Sequence, residues 1–430
     1  MLRFRLTLLL VFLTITSQAA SILISMGEEQ KNHLKAYGIA FKALQSGQEV
    51  EWLLNYQGGS FMFKYTQLIE AECKIRGVSY ETISDAQSAS IFAQISDPET
   101  NMDVVKLEKA PKIAVYSPKK ILANAESDAV VIVLEYAEIP FDIVYDEEIV
   151  KGDLPKYDWI HLHHEDFTGH FGRENRGYEN RSIQELMAKK LGFDKVTQMK
   201  MAVAQKIREF VAGGGFLFAM CSAADTFDIA LASEGIDIAA SNIDGDPMDP
   251  NAQAKLDFKK SFAFENFTIA RDGSNPQFSD INTGNSQSYG NNFFTLFSFS
   301  AKWDPVPTML TQDHDHVIRG FNGKTTAFRK SLVKPNVLIM GEDKAEGVAR
   351  YIHGEFGNGQ WTFYGGHDPE SNQGGGRGGG NFGGGGFGGG GFGGGGNRGT
   401  DLNLYPHSPG YRLILNNVLF PAAKKKKLKT

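Results

Sequence analysis

Apolar positions along this chain follow two different spacings. Short apolar runs bounded by turn residues indicate β-strands, whereas apolar residues three or four positions apart indicate helices. In the first quarter, the pattern predicts strands at 21–26 and 49–55 and helices at 32–44 and 64–76. A polar stretch at 96–109 then separates this region from the rest of the chain.

The same alternation continues from residue 112. It predicts strands at 112–116, 141–145 and 157–162, helices at 129–137 and 182–212, a buried strand that ends at Cys221, and a helix at 223–232. Strands that alternate with helices are typical of α/β architecture, and right-handed crossovers make successive strands parallel. The sequence therefore predicts an α/β fold with a mostly parallel, doubly wound sheet.

The C-terminal part of the chain is less regular. Residues 241–300 are rich in Asn, Ser, Gly and Phe, which favours an irregular or β-rich insertion, here bounded at 241–332. Further elements are predicted beyond it: strands at 335–340, 347–355 and 360–364, a hairpin turn at 357–359, and an amphipathic helix at 411–422.

The N-terminus has the three parts of a secretory signal peptide. Arg3 and Arg5 precede an apolar core at 8–13, and small residues follow up to Ala20. The apolar core is shorter than the roughly 20 residues that a membrane helix needs, and no cysteine follows it to accept a lipid. An uncleaved anchor is the alternative. The sequence thus predicts a periplasmic or secreted protein with no transmembrane segment in its mature chain.

Composition narrows the possible partners. The chain is 41% hydrophobic and has a formal charge of −6, which does not indicate a nucleic-acid partner. A small molecule or carbohydrate remains a candidate ligand, no cofactor is predicted, and protein partners are left open. Cys73 and Cys221 are the two cysteines of the sequence, so disulfides do not build the fold. Paired in an oxidising compartment, they would lose their thiol chemistry.

Two buried strands end in chemically active side chains. Cys221 follows the run GGGFLFAM and precedes a helix, and His367 follows the run QWTFYGG. A thiol at a strand-to-helix turn is activated by a nearby imidazolium and by the positive end of the helix dipole. Asp368 or Glu370, next in sequence, could orient the histidine as the third member of a triad. The alternative is a structural thiol, since cysteines are commonly buried and Cys221 lacks the flanking glycines of a nucleophile elbow.

A third group of polar residues lies at 159–170, in the run WIHLHHEDFTGH. His161 and His163 share one face of a strand that should otherwise be apolar. Three interpretations stay open: a substrate pocket, a transition-metal site, or polar residues hydrogen-bonded at a strand end. The predicted substrate-binding residues are His161, His163, His164, Glu165, Asp166 and Ser222. The metal alternative uses His161, His163 and His164, although their spacing matches no known zinc motif.

Three further segments of the chain give weaker indications of function. His314 and His316 form a second histidine pair, for which a solvated turn is the favoured interpretation. Residues 374–399 are almost pure glycine with interspersed phenylalanines, which favours a disordered low-complexity loop, with a lid, a tether or an RNA-binding segment as alternatives. The lysines of 424–430 form a basic tail that is either simply solvated or attracted to an anionic surface.

The arrangement of Cys221 and a distant strand ending in His and Glu resembles the class I glutamine amidotransferase-like superfamily. The run GNGQWTFYGGHD at 357–368 is similar to its trehalose-utilisation (ThuA-like) branch, many members of which lack the thiol. The usual His-Pro-Glu motif is replaced here by His367, Asp368, Pro369 and Glu370. The resemblance spans 112–420 and implies a flavodoxin-like sheet with Cys221 as nucleophile and His367 as base.

The whole chain also resembles exported bacterial proteins labelled asparagine synthetase B. Such an enzyme needs a cysteine at mature position 1 and a Ser-Gly-Gly-x-Asp-Ser loop for ATP, and neither is visible in this sequence. The sequence therefore favours a Cys-dependent amide or ester hydrolase, with a non-catalytic ligand- or carbohydrate-binding module as the alternative.

The predicted organisation has six parts: a signal peptide at 1–20, an N-terminal α/β region at 21–107, an amidotransferase-like core at 108–372, a Gly-rich insertion at 373–399, a helix that completes the core at 400–423, and the tail at 424–430.

Overall fold

The structure is a computed structural model, and it describes residues 20–117, 128–163, 165–171, 178–271, 277–283, 293–319, 327–366, 368–370 and 400–424. The predicted signal peptide up to residue 19, His164, His367, the Gly-rich segment from 371 to 399 and the tail beyond Lys424 lie outside these residues. Among the helices that the structure describes, none combines the length and apolar character that crossing a bilayer requires.

The N-terminal region forms a five-stranded antiparallel sheet. Its elements are β1 (Ser21–Ile24), α1 (His33–Gln45), β2 (Val50–Leu54), β3 (Ser60–Lys64), α2 (Gln67–Arg76), β4 (Glu81–Ile83), α3 (Asp85–Ser96) and β5 (Asp103–Leu107). The strand order is β4-β1-β3-β2-β5. The connection from β2 to β3 is only a few residues long, and a connection that short joins antiparallel strands.

The second sheet has ten strands and accounts for most of the remaining chain. Its first half contains β6 (Ile113–Tyr116), α4 (Ala129–Tyr136), β7 (Asp142–Val144), α5 (Asp146–Val150), β8 (Trp159–Leu162), α6 (Tyr178–Lys190), α7 (Val196–Ala212), β9 (Phe216–Met220) and α8 (Ser222–Ala232). Its second half contains α9 (Ser241–Asp244), α10 (Ala252–Lys255), β10 (Phe293–Leu296), α11 (Pro305–Thr311), β11 (Val317–Arg319), β12 (Phe328–Arg329), β13 (Leu338–Asp343), β14 (Val348–Phe356), β15 (Gly359–Tyr364) and α12 (Pro409–Leu419).

The prediction of a mostly parallel, doubly wound, flavodoxin-like sheet is wrong. The strand order is β11-β10-β13-β14-β15-β9-β8-β6-β7, with β12 paired to β14. Pairing is parallel from β7 to β15 and antiparallel from β15 to β11 and between β12 and β14. The molecule is therefore a mixed α/β protein with one mixed and one antiparallel sheet. The short turns between β13 and β14 and between β14 and β15, which suit hairpins and not crossovers, account for part of the antiparallel pairing.

The two sheets share one hydrophobic core. The same cluster of buried side chains includes Trp52 of the first sheet and Trp159 of the second. The hydroxyl of Tyr37 on α1 donates to Oδ1 of Asn416 on α12 over 2.6 Å, and Nη1 of Arg76 donates to the carbonyl oxygen of Ala137 over 2.8 Å. The helices α1, α4 and α12 thus fill the space between the sheets.

Candidate functional site

Cys221 lies on a sharp turn between a buried strand and a helix. The strand β9 ends at Met220, α8 begins at Ser222, and Cys221 between them has φ 51° and ψ −139°. This confirms the predicted strand, turn and helix. An L-residue with a side chain rarely adopts a positive φ, and such conformations cost about 1–3 kcal/mol. The sequence keeps a cysteine at a position whose backbone suits glycine.

The thiol lies at the meeting point of two strand ends and a helix. The N–H of Cys221 donates to the carbonyl oxygen of Gly366, just beyond β15, over 3.0 Å. Cys221 also precedes the N-terminus of an eleven-residue helix, whose dipole favours a negative charge. The residue is nevertheless only 3% exposed. The neighbouring Ser222 is buried too, and its carbonyl oxygen accepts the hydroxyl of Thr226 over 2.7 Å.

The loop after β8 lies against the start of α8, because β8 and β9 are neighbouring parallel strands that end at the same edge of the sheet. The N–H of Ala223 donates to the carbonyl oxygen of His163 over 3.1 Å, and the hydroxyl of Thr226 donates to the carbonyl oxygen of Glu165 over 2.9 Å. Oε2 of Glu165 accepts the N–H of His163 over 2.7 Å. The Glu165 carboxylate therefore stabilises the bend of its own loop.

Asp166 organises the following turn. Its Oδ1 accepts the N–H of Thr168 over 2.9 Å and the hydroxyl of the same residue over 2.5 Å. Oγ1 of Thr168 also lies 2.5 Å from Nδ1 of His170. Aspartate side chains commonly hold turns in this way. These contacts support the interpretation of Asp166 as a polar residue hydrogen-bonded at a strand end.

His161 and His163 converge on an aspartate that the sequence analysis missed. Nε2 of His161 lies 3.3 Å from Oδ2 of Asp128, and Nδ1 of His163 lies 3.0 Å from Oδ1 of the same carboxylate. Burial acts to raise the pKa of Asp128, but His163 and His161 outweigh it and hold the pKa well below its usual value. These three side chains form the Asp128 cluster, whose ligand atoms all lie within 4.8 Å of one another.

Helix capping places Asp128 in this cluster. Oδ1 of Asp128 accepts the N–H groups of Val130 and Val131 at the start of α4 over 2.8 and 3.2 Å. Aspartate is a preferred residue at this position, because it satisfies amide groups that have no partner within the helix. An aspartate directly before a predicted helix was therefore the available signal. That signal indicates a cap and does not reveal which strand the carboxylate faces.

The residues after β15 are bound to α12. Oδ1 of Asp368 accepts the hydroxyl of Tyr411 and the N–H of Glu370 over 2.9 and 3.0 Å, and its Oδ2 accepts the hydroxyl of Thr400. Burial raises the pKa of Glu370 to about 7, Asp368 adds to the rise, and a hydrogen bond with Ser408 opposes it. His367, the predicted base, lies outside the described residues.

The remaining candidates lie elsewhere. His316 is exposed and its Nε2 is 3.0 Å from Oδ1 of Asp313, as in a solvated turn. Burial, with a contribution from Arg412, lowers the pKa of the neighbouring His314 well below its usual value. Cys73 is buried in α2, where burial raises the pKa of its thiol to about 12. The two cysteines, both in described parts of the chain, are not joined by a disulfide.

Comparison with known proteins gives no family. No family model matches the chain, and no curated protein matches it. Among solved structures, a cytoplasmic protein from Salmonella typhimurium is similar over 60% of this chain and 87% of its own length, with 10% identity and a TM-score of 0.33. A cytoplasmic protein from Salmonella typhimurium LT2 is similar over 61% of this chain and 93% of its own length, with 11% identity and a TM-score of 0.31. A beta-galactosidase from Rahnella sp. R3 covers 62% of this chain and 30% of its own, with 12% identity and a TM-score of 0.28.

Proposed function

We propose that this protein is a hydrolase of amides or esters that uses Cys221 as its nucleophile. The observation that supports this proposal is the positive φ of Cys221 at the turn between β9 and α8. Strained backbone is concentrated at functional sites, and a nucleophile on such a turn is presented at the edge of a sheet. A buried structural cysteine needs no such conformation.

In the proposed reaction, the Cys221 thiolate attacks the carbonyl carbon of the substrate. The bond to the leaving amine or alcohol then breaks, and the leaving group takes a proton from His367, which received it from the thiol. Water next attacks the thioester and gives a proton to His367, the carbon–sulfur bond breaks to release the acid product, and His367 returns the proton to the sulfur of Cys221. The roles of His367 as base and of Asp368 or Glu370 as orienting carboxylate come from the resemblance to the amidotransferase-like superfamily.

The contacts of the two carboxylates favour one of them as the orienting residue. Asp368 accepts three hydrogen bonds, from the N–H of Glu370 and the hydroxyls of Thr400 and Tyr411, which hold its side chain in one position. Burial raises the pKa of Glu370 to about 7, so Glu370 is partly neutral near neutral pH. An orienting carboxylate must be ionised to stabilise an imidazolium. Asp368 is therefore the orienting residue of the proposed triad, and the loop of His163, Glu165 and Asp166 shapes the pocket.

The proposal places the enzyme in the periplasm or outside the cell. The basic start, short apolar core and small-residue end of residues 1–20 support cleavage of a signal peptide there. Glutamine-dependent asparagine synthesis is not proposed, because the sequence lacks the loop that would bind ATP.

The second candidate function is non-catalytic binding of a small molecule or carbohydrate. The low exposure of Cys221, 3%, favours it. The pH dependence of iodoacetamide alkylation at Cys221, in the protein and in a His367→Ala variant, decides between the two. The hydrolase predicts alkylation that is rapid near pH 6 and slower in the variant, whereas a Cys73→Ala protein should react as the parent does. An inert Cys221, or equal rates with and without His367, would support binding alone.

A further inference from the structure

We infer that Asp128, His161 and His163 bind a divalent first-row transition metal ion, such as Zn²⁺. The three residues come from the N-terminus of α4 and from the carboxyl end of β8, beside β6 in the sheet. Two imidazoles and a carboxylate are a common ligand set for zinc and for non-haem iron, with further coordination positions left for water or substrate.

The hydrogen-bond partner of Nδ1 decides which nitrogen of His161 turns a lone pair toward Asp128. Its Nδ1 lies 3.2 Å from the carbonyl oxygen of Phe218, a distance at which Nδ1–H donates to that oxygen. In the neutral ring, Nε2 then presents its lone pair to the Asp128 cluster. A second-shell hydrogen bond of this kind fixes the tautomer of metal-binding histidines.

The distance between His161 and Asp128 suits two ligands of one metal ion better than a hydrogen bond. Nε2 of His161 is 3.3 Å from Oδ2 of Asp128, yet it makes no hydrogen bond of acceptable geometry with any described residue. Two lone pairs that face each other at this distance repel unless a cation lies between them. A proton would draw the atoms to about 2.7–2.9 Å. Metal bonds of about 2.0–2.1 Å place ligand atoms of a tetrahedral site about 3.4 Å apart, which fits the observed separation better.

The side chains of His161 and Asp128 are held in place by their surroundings. His161 is fully buried and stacks on Trp159, with ring centroids 6.0 Å apart, so its ring is held in one orientation. Oδ1 of Asp128 is held by two N–H groups of α4, and its Oδ2 faces His161. The Asp128 side chain is 14% exposed, which gives the cluster a side from which an ion can reach it.

A second group of carboxylates differs from the Asp128 cluster in how its negative charge is balanced. Asp237, Asp244 and Asp246 also bring their carboxylates together, but they surround Nζ of Lys195. A side-chain ammonium balances their charge. In the Asp128 cluster, a bound metal ion would do this.

The test is zinc binding by the full chain, measured by titration calorimetry after removal of metals with a chelator. We expect one tight site per chain, and visible absorption of Co²⁺ in the same site should indicate tetrahedral or five-fold coordination. Asp128→Asn is the main variant, because asparagine also caps helices and the fold should persist. It should weaken zinc binding at least about tenfold, since even outer-shell changes commonly cost about 10–100-fold.

Three further variants complete the design. His163→Ala should lose the site, whereas His316→Ala, which removes an exposed histidine, should bind zinc as the parent does. Cys221→Ser should also keep the site, so failure of the proposed hydrolase would leave this inference intact. If the full chain does not bind one zinc ion, or if Asp128→Asn and the parent bind zinc with equal affinity, the inferred metal site is wrong. Loss of binding in Cys221→Ser would overturn the ligand assignment.

Discussion

The backbone N–H of Cys221 donates to the carbonyl oxygen of Gly366 over 3.0 Å. This bond joins the turn after β9 to the end of β15, the neighbouring parallel strand. The residue after Gly366 is His367, the base of the proposed reaction. Cys221 and Gly366, which are far apart in sequence, therefore meet at one edge of the sheet, because parallel strands in register end together.

Replacing Cys221 with glycine should give a more stable protein than replacing it with alanine. Both changes remove the thiol, but only glycine adopts a φ of 51° without steric cost. We expect Cys221→Gly to exceed Cys221→Ala by about 1 kcal/mol in the free energy of unfolding, measured with urea. The control is Cys73 in α2, where glycine should be less stable than alanine by about 1 kcal/mol. If the glycine and alanine variants have the same order of stability at Cys221 and at Cys73, the backbone at Cys221 is not strained.

Asp228→Asn should destabilise the connection between α8 and the segment that follows it. The buried carboxylate of Asp228 accepts the N–H groups of Phe262, Ala263 and Phe264 over 2.7, 2.6 and 2.9 Å. An amide offers one acceptor oxygen, and its NH₂ would face another donor, so we expect a loss of about 1–3 kcal/mol in unfolding free energy.

Asp280→Asn is the control for Asp228→Asn. Asp280 is partly exposed and accepts the N–H of Thr268 over 2.7 Å. We expect its replacement to change the unfolding free energy by less than about 0.5 kcal/mol, as at most surface sites. Equal losses for the two variants would show that the buried acceptor has no special role.

Lys200→Met should strongly destabilise the protein. Nζ of Lys200 is 2.9 Å from Oδ1 of Asp146 and 2.7 Å from the hydroxyl of Tyr116, and all three side chains are buried. Removing one partner of a buried ion pair leaves the other charge uncompensated, which costs about 3–5 kcal/mol. Urea unfolding of Lys200→Met and of the parent should show this loss in the free energy of unfolding.

Two comparisons test the cause of the Lys200 effect. The double variant Lys200→Met with Asp146→Leu removes both charges and should recover much of the lost stability. Lys206→Met breaks an exposed pair with Glu209, worth about 0–1 kcal/mol. A double variant less stable than Lys200→Met would contradict the electrostatic explanation.

Glu370→Gln should change how stability depends on pH. Burial raises the pKa of Glu370 from 4.5 to about 7, so the folded protein retains a proton that the unfolded chain has lost between these values. The stability contributed by the neutral carboxyl is fully present below pH 4.5 and is lost as the pH rises through about 7. Glutamine stays neutral, so the variant should gain stability relative to the parent from pH 4.5 to pH 8. A difference that is constant over this range would contradict the raised pKa.

Local pattern predicted several elements, because helices and strands follow from the spacing of nearby residues. The helix before β9, the turn at Cys221 and the hairpin between β14 and β15 are examples. Local pattern did not reveal the antiparallel pairing of the N-terminal sheet or of the strands beyond β15. Strand direction depends on which partners pair over long distances in sequence, and a strand has the same periodicity in either direction.

Side chains alternate along any strand, so the order of residues is enough to put His161 and His163 on one face at the end of β8 and a cysteine after β9. The contacts of Asp128 with His161 and His163, and of Asp368 with Tyr411, arise from folding alone. These contacts join residues from separate elements, and their geometry follows from how helices α4 and α12 pack on the sheet. Packing of this kind is decided by the whole core and not by any one segment.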